Sequence, residues 1–167
     1  GKSIGSDVLD AESGGQIGYV IELELDNAID HQDTVTVITR VLVDADDPAF
    51  GDPTKFIGPV YDEQRAKALA AERGWVVKPD GEHWRRVVAS PDPQQVIQLE
   101  AIRRLVDGGF LVVCVGGGGV PVVAAGTGHA GVEAVIDKDL ASALLAIGLG
   151  ADVLVLATDV DAVYSGW

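Results

Sequence analysis

The sequence predicts a doubly wound α/β fold of one domain with a small subdomain protruding from it. From Gln94 onward, apolar runs typical of buried strands alternate with amphipathic stretches typical of helices, the order expected of a mostly parallel sheet covered by helices. Between Asp47 and Asp92 no such alternation occurs, and five of the seven prolines lie there among turn residues. We therefore expect the 167 residues to form a single domain, with approximately residues 47–92 inserted as the subdomain.

The first predicted elements are a helix and a strand. Glu12 to about Ala28 places apolar residues on one side and acidic residues on the other, which predicts a helix with a buried stripe. Ser13-Gly14-Gly15 is expected either to cap this helix or to let a backbone approach a ligand. Thr34 to Val43 is rich in β-branched residues and predicts a buried strand. The acidic loop that begins at Asp44 lacks the spacing of a calcium site, so we expect it to be solvated.

The subdomain is predicted to contain one helix and one hairpin. The helix spans Asp62 to Arg73, with Asp62 as its N-cap and Gly74 at its end. Two β-rich runs flank Pro79-Asp80-Gly81, which predicts a hairpin. Arg85 and Arg86 on its second strand could meet an anion, but a solvated or salt-bridged strand face is favoured.

The remainder of the chain is predicted to alternate between helices and strands. The helices are Gln95 to Val106 and Leu140 to Leu149, and the strands are Phe110 to Val115, Val132 to Ile136 and Asp152 to Leu156. Phe110 to Val115 is uninterrupted by polar residues, which favours a central parallel strand buried on both faces.

Charge and composition exclude several classes of function. The chain has 12 Lys and Arg against 26 Asp and Glu, a formal charge of −14, which opposes binding to nucleic acid or to an anionic membrane. It has no apolar run long enough to predict a membrane span. Cys114 is the only cysteine, so no intrachain disulfide is expected, and its apolar context predicts a small buried side chain. The chain contains no Met, which predicts a processed, tagged or truncated start.

Four consecutive glycines, Gly116, Gly117, Gly118 and Gly119, follow the predicted strand that ends at Val115. Without Cβ atoms, their amides can approach a phosphate or another anion closely. Pro121 stands where a dinucleotide-binding fingerprint would need a glycine, so hydride transfer is disfavoured. A flexible surface turn is the alternative interpretation.

Asp137, Lys138 and Asp139 open the predicted helix that ends at Leu149. A lysine is unusual at a helix N-terminus, because the helix dipole there favours anions. One hypothesis is that Lys138 is held by the carboxylates and faces a phosphate during transfer. The alternative is that Asp137 caps the helix while Lys138 points into solvent.

The last motif, Ala157 to Tyr164, follows the final predicted strand. It offers a hydroxyl, two carboxylates and an aromatic ring from Thr158, Asp159, Asp161 and Tyr164. Such a loop can bind ribose hydroxyls and an adenine face, although alone it could equally be a polar turn.

Several stretches together resemble the carbamate kinases of the amino acid kinase superfamily. The resemblance covers almost the whole chain, and its most specific parts are Pro53-Thr54-Lys55 with Ile57-Gly58-Pro59-Val60-Tyr61, and Val132 to Ala146. It also includes Asp47 to Phe50, Arg85 to Val88, Gly116 to Pro121 and Ala157 to Tyr164.

The resemblance implies reversible phosphoryl transfer between ATP and carbamate, giving ADP and carbamoyl phosphate, with Mg²⁺ carried mainly by the nucleotide phosphates and with no metal site on the protein. It also implies an open αβα sandwich, a homodimer, a cytoplasmic location, a role in arginine metabolism, and a subdomain that acts as a lid.

The resemblance further implies roles for individual residues. Lys138 would neutralise the transferring phosphoryl group, and Asp137 or Asp139 would orient the lysines. Lys55, on the lid, would reach the phosphates or the substrate. The four glycines from Gly116 would line the phosphate and carbamate region. Residues Thr158, Asp159, Asp161 and Tyr164 would border the nucleotide.

The chain also departs from the family pattern. Carbamate kinases begin with a strand and a Gly-Gly-Asn loop, soon followed by a His-Gly-Asn-Gly loop, and neither loop occurs here. They continue to a further phosphate-binding Lys, whereas this sequence ends at Trp167. We therefore expect an internal portion of a carbamate kinase. The alternative is a truncated, inactive relative that binds nucleotide or a partner chain, and an amino acid kinase acting on a carboxylate is disfavoured by the lid sequence.

Overall fold

The structure of the protein is a computed structural model that describes residues 5–159. Four helices and nine strands occur in this part of the chain. The helices are α1 (Ser6–Ala28), α2 (Glu63–Arg73), α3 (Leu99–Asp107) and α4 (Lys138–Leu149). The strands are β1 (Thr34–Val37), β2 (Arg40–Val43), β3 (Lys55–Tyr61), β4 (Val76–Asp80), β5 (His83–Val88), β6 (Pro93–Val96), β7 (Leu111–Cys114), β8 (Val120–Ala125) and β9 (Gly128–Gly131).

The strands form three sheets. In the main body, β1 pairs in parallel with β7, and a second sheet has the order β6-β2-β8-β9, in which β2 and β8 are parallel. Both parallel pairs join strands that are far apart in sequence, as crossover connections require. The predicted α/β class is therefore confirmed.

Residues 47–92 contain the third sheet, in the order β3-β5-β4, with all pairs antiparallel and α2 packed on β4 and β5. The predicted hairpin is present as β4 and β5, and β3 is a strand that the sequence did not predict. The predicted helix α2 has the expected ends, because Asp62 Oδ1 accepts the Arg65 N–H at 2.7 Å and Gly74 adopts the left-handed conformation.

The predicted strand from Thr34 to Val43 is divided into β1 and β2, which lie in different sheets. At the break, the Thr39 hydroxyl donates to the Val37 carbonyl at 2.8 Å, a local hydrogen bond that a regular ladder does not contain. The strand predicted after Phe110 is β7, which is half-buried. It pairs with β1 alone among residues 5–159, so the predicted burial on both faces is wrong for the described part of the chain.

Two helices start at other residues than predicted. Helix α1 begins at Ser6 rather than Glu12, so Ser13-Gly14-Gly15 lies inside the helix and does not cap it. Helix α3 begins at Leu99 rather than Gln95, because Pro93–Val96 pairs with β2 as strand β6.

Two further strand predictions are wrong. Residues 132–136 form only a bridge between Ala134 and Ala89, because β8 takes its partner from the hairpin strand β9 instead. Residues 152–156 form no strand, and no described strand pairs with them. Their apolar side chains are consequently exposed.

The core of the main body lies where α3 and α4 cover the strands. Ile102 of α3 and Ala141 of α4 are completely buried, and Ile136, just before α4, is 1% exposed. They form one cluster with Val41, Val43, Val96 and Val115. This cluster joins β2 and β6 to Ile136, which precedes α4, and to Val115, which precedes the four glycines.

Helix α1 contacts the sheet through a glycine. Gly18 is the only buried residue of α1, and a Cβ placed on it would lie 2.3 Å from Thr36 Cγ2 of β1. Larger residues such as Ile17 and Tyr19 are exposed, so the predicted buried stripe is wrong for the described part of the chain. Although α1 has 23 residues, neither it nor any other helix within residues 5–159 is long and apolar enough to cross a membrane.

Replacing Gly18 by Ala should destabilise the protein although Ala favours helices. Its Cβ would meet the stiff side chain of Thr36, which forces α1 away from β1 and costs about 1–3 kcal/mol. Gly14→Ala is the matched control, because apart from the backbone of α1 itself no atom of the described chain lies within 4 Å of a Cβ at that position. We expect Gly14→Ala to stabilise by up to about 1 kcal/mol. Urea unfolding measures both, and equal effects of the two substitutions would contradict the proposed close contact.

Candidate functional site

Asp137 caps helix α4. Its backbone is extended, as an N-cap residue requires, and its Oδ1 accepts the N–H groups of Asp139 at 2.9 Å and of Leu140 at 3.2 Å. The negative charge also lies at the end of the helix where the dipole favours anions. The capping interpretation of Asp137 therefore holds, and it leaves the second carboxylate oxygen available for another partner.

The second oxygen binds Lys55. Lys55 Nζ lies 3.1 Å from Asp137 Oδ2, and the two side chains are 39% and 36% exposed. Lys55 is the first residue of β3, so the ion pair joins the subdomain to the start of α4 across 82 positions of the sequence. Two of the four residues predicted to be catalytic are thus brought into direct contact.

These contacts lower the pKa of Asp137. Partial burial by itself would raise the pKa of this carboxyl, since burial disfavours the charged form. The hydrogen bond and charge of Lys55, together with the amides of Leu140 and Asp139, outweigh that effect and hold the pKa below its usual range. Asp137 is accordingly charged at neutral pH, as its contact with Lys55 requires.

Lys138 and Asp139 form a second pair on the next residues. Lys138 Nζ donates to Asp139 Oδ1 at 2.8 Å, and both side chains are largely exposed. The hydrogen bond to Asp139, with the charge of Asp139, raises the pKa of Lys138. Two lysines therefore lie beside the start of α4, Lys55 from β3 and Lys138 from α4 itself, and each is held by its own carboxylate. The ammonium group of Lys138 is exposed, so an anion could approach it.

The glycine loop, defined as Val115 to Val120, consists of two parts. Gly118 and Gly119 are tightly packed: a Cβ would lie 2.3 Å from the Ile136 carbonyl oxygen at the first and 2.6 Å from Val41 Cγ2 at the second. Gly116 and Gly117 are open, because beyond their chain neighbours no atom of residues 5–159 lies within 4 Å of a Cβ at either position. The loop then continues as strand β8 rather than as a helix.

The open part of the loop faces a cavity of about 120 Å³. The cavity lies between α1, the ends of β1 and β7, and the loop. Gly116, Gly117, Thr39 and Cys114 are among its lining residues. Cys114 is half-buried rather than fully buried as the sequence predicted, and this partial burial raises the pKa of its thiol.

Residues 133–137, which we name the seam, are where the subdomain meets the main body. Arg86 of β5 forms an ion pair with Glu133, the Val135 N–H donates to the Ala89 carbonyl at 2.9 Å, and Lys55 binds Asp137. Arg86 also lies over the ring of Trp75, and burial lowers its pKa. With Arg85 paired to Asp80 at 3.2 Å, the salt-bridged strand face favoured from the sequence is observed.

The predicted nucleotide-binding residues are only partly described. Thr158 and Asp159 lie on the exposed segment at the end of the described chain, and neither lines the cavity. Asp161 and Tyr164 lie outside the described residues. Within residues 5–159, no group of three or more His, Cys, Asp and Glu side chains is placed to hold a metal ion.

The sequence did not identify Thr39 or the contacts that residues 133–135 make with the subdomain as parts of the site. Thr39 is buried, and its hydroxyl accepts the Val115 N–H at 3.0 Å at the start of the glycine loop. No distinct signal marked Thr39 in the sequence, because Thr34 and Thr36 carry hydroxyls in the same β-branched run. Glu133 gave no signal, because its partner Arg86 is distant in sequence.

Comparisons with known proteins agree with this architecture. Residues 19–167 match the model of the amino acid kinase family. The carbamate kinase of Rhizobium meliloti (strain 1021) is 52% identical over 165 residues, covering 96% of this chain and 51% of that protein. A carbamate kinase from Giardia lamblia bound to AMP-PNP has a TM-score of 0.79 at 40% identity, with 91% of this chain and 50% of that one covered.

A crystal structure of a protein from Aeropyrum pernix K1 is also similar, with a TM-score of 0.89 at 39% identity, covering 100% of this chain and 55% of that one. The chain thus spans about half the length of the curated relatives it matches. The resemblance to carbamate kinases predicted from the sequence is confirmed.

Asp137→Asn and Asp137→Ala should separate the two tasks of this carboxylate. Asn still caps a helix but carries no charge for Lys55, whereas Ala removes both functions. Since the ion pair is more than one third exposed, we expect Asn to cost less than about 1 kcal/mol at pH 7 and Ala about 1 kcal/mol more. Urea unfolding followed by circular dichroism measures both differences.

The cost of Asp137→Asn should depend on pH. Because the folded-state pKa lies below the unfolded value of about 3.8, the charged carboxylate stabilises the fold above that pH, and this stabilisation is lost as the pH falls through the folded pKa. The difference between wild type and Asp137→Asn should therefore shrink over the interval from about pH 4 down through the folded pKa. A difference of unchanged size across this interval would show that the charge of Asp137 contributes nothing.

Proposed function

The chain belongs to the amino acid kinase family, and from this membership we propose that the complete gene product is a carbamate kinase. It transfers a phosphoryl group reversibly between ATP and carbamate, giving ADP and carbamoyl phosphate. The observation that carries the proposal is the start of α4, where Asp137 holds Lys55 and Asp139 holds Lys138. The carbamate kinases that match nearly all of this chain support the choice of reaction within the family.

Two lysines held by carboxylates suit phosphoryl transfer. In that reaction an oxygen of carbamate forms a bond to the terminal phosphorus of ATP, and the bond to the bridging oxygen breaks, leaving its electron pair on ADP. Catalysis depends mainly on positioning and on neutralising the charge of the transferring group. Lys138 is proposed to neutralise that charge, with Asp139 orienting it.

Lys55 is proposed to reach the phosphates or the substrate from the subdomain, which would act as a lid. Its partner Asp137 is fixed by the cap of α4, so the position of Lys55 is defined relative to Lys138. The ion pair is partly exposed, so an incoming anion can compete for the ammonium group. Exchange of Asp137 for a phosphate would then couple substrate binding to the position of the lid.

The open glycines are proposed to line the phosphate and carbamate region. Gly116 and Gly117 leave space beside the backbone, which lets an anion approach their amides. ATP supplies the phosphoryl group, and its phosphates are proposed to carry Mg²⁺. The relative from Giardia lamblia bound to AMP-PNP supports a nucleotide as ligand. Thr158, Asp159, Asp161 and Tyr164 are proposed to border that nucleotide.

The proposal extends to the state of the protein in the cell. We propose a homodimer in the cytoplasm with a role in arginine metabolism, as the resemblance to carbamate kinases implies. The exposed apolar side chains on α1, among them Ile17 and Tyr19, support this proposed dimer, because exposed apolar patches are typical of protein–protein interfaces. Sedimentation equilibrium of the complete gene product measures the assembly, and a mass of one chain at micromolar concentration would contradict the dimer.

Lys138→Ala should lower turnover about 100-fold or more in the complete gene product, because it removes charge stabilisation from the transition state. The assay supplies MgADP and carbamoyl phosphate and measures the ATP formed. Lys67→Ala is the matched control: this lysine pairs with Glu63 on α2, away from the site, and its loss should leave turnover unchanged. Equal turnover of wild type and Lys138→Ala would exclude Lys138 from the mechanism. ATP binding without any transfer by the wild type would favour an inactive nucleotide-binding relative instead.

A further inference from the structure

We propose that Thr39 is a positioning residue that holds the glycine loop in the shape that opens Gly116 and Gly117 to the cavity. The catalytic part of this inference rests on the proposed function, since it assigns the loop a role in phosphoryl transfer. The structural part does not, because it concerns only what fixes the loop.

Thr39 holds both ends of the loop. Its hydroxyl accepts the Val115 N–H at 3.0 Å and donates to the Val37 carbonyl at 2.8 Å, so both capacities of the hydroxyl are used. Its own carbonyl accepts the Val120 N–H at 2.8 Å. The residue is 3% exposed, and among the described residues it is the only buried polar side chain. A hydroxyl at such a site is costly to bury unless it is fully hydrogen-bonded, as it is here.

The residue at the start of the loop has a conformation that needs support. Val115 has a φ of 54°, in the left-handed region that a β-branched residue rarely adopts. Such a conformation persists only when surrounding contacts enforce it. The Val115 N–H bonded to Thr39 is one such contact, and the burial of the Val115 side chain in the core is another.

The place of Thr39 in the topology explains why this residue can control the loop. Thr39 lies between β1 and β2, where the chain passes from one sheet to the other. The glycine loop makes the same passage, because it joins β7, the partner of β1, to β8, the partner of β2. The two connections therefore lie side by side, and a Cβ on Gly119 would be only 3.1 Å from the Thr39 carbonyl oxygen.

The test is a graded series at position 39 in the complete gene product. Thr39→Ser keeps the hydroxyl, Thr39→Cys offers a weaker hydrogen-bonding group, and Thr39→Val has the shape of Thr without the hydroxyl. Loss of the hydroxyl leaves the Val115 N–H unpaired but keeps the backbone bond from Val120. We expect Thr39→Val to raise amide exchange at Val115 to Gly119 at least about tenfold and to lower kcat by a similar factor, with a smaller change in KM.

Thr39→Ser should restore both exchange and kcat, and Thr39→Cys should lie between Ser and Val. The Cys variant also keeps the test decisive if Thr39→Val does not fold. Leu69→Ala, which removes core volume from α2 in the subdomain, is the control for a merely structural effect, because Leu69 lies outside the cluster that contains Val115; it should lower the melting temperature without changing exchange in the loop.

Two outcomes would overturn the inference. One is unchanged loop exchange in both the Val and the Cys variants, and the other is a Ser variant as impaired as Val, since the hydroxyl would then not be the group that matters. A wild-type protein without phosphoryl transfer would refute the proposed function and with it the effect on kcat. Amide exchange would in that case still decide whether Thr39 fixes the loop.

Discussion

The candidate site depends on the interactions that the Asp137 carboxylate makes. One oxygen fixes the first turn of α4 and the other fixes Lys55, so one side chain sets the direction of the helix and the position of the subdomain. The preceding residue, Ile136, is buried in the core, and its carbonyl oxygen lies against Gly118. Within two consecutive residues, the chain therefore connects the subdomain, helix α4 and the glycine loop.

The distribution of charge supports the proposed role of Lys55 and Lys138 in anion binding. Seven of the twelve Lys and Arg residues lie in residues 47–92, which are nearly neutral, whereas the rest of the chain is strongly acidic. Both ion pairs across the seam join a basic residue of the subdomain, Lys55 or Arg86, to an acidic residue of the main body. A chain with a formal charge of −14 repels phosphates at long range, so anion binding must rely on local cations held at fixed positions. Lys55 and Lys138 are such cations, and the subdomain supplies one of them.

The sequence predicted those features whose causes are local. Asp62 and Gly74 mark the ends of α2, and the charged cluster around Lys138 marked the start of α4, because caps and charges act within a few residues. The division of one predicted strand at Thr39 and the absence of a strand in the seam depend on which distant strand becomes a partner, which periodicity does not contain. Lys55 and Asp137 were both predicted to be catalytic, but the contact between their side chains was not predicted, for the same reason. It joins residues that only the tertiary fold brings together.

The four glycines show why a motif alone does not define a site. Gly118 and Gly119 are required by packing, since any side chain would meet the Ile136 carbonyl or Val41. Gly116 and Gly117 have no such neighbour, so packing does not explain them, although the left-handed φ of Gly117 favours glycine on backbone grounds. Gly116 has neither constraint within the described structure, and it lines the cavity. Of the four, Gly116 is therefore the residue whose lack of a side chain is best explained by the approach of a ligand.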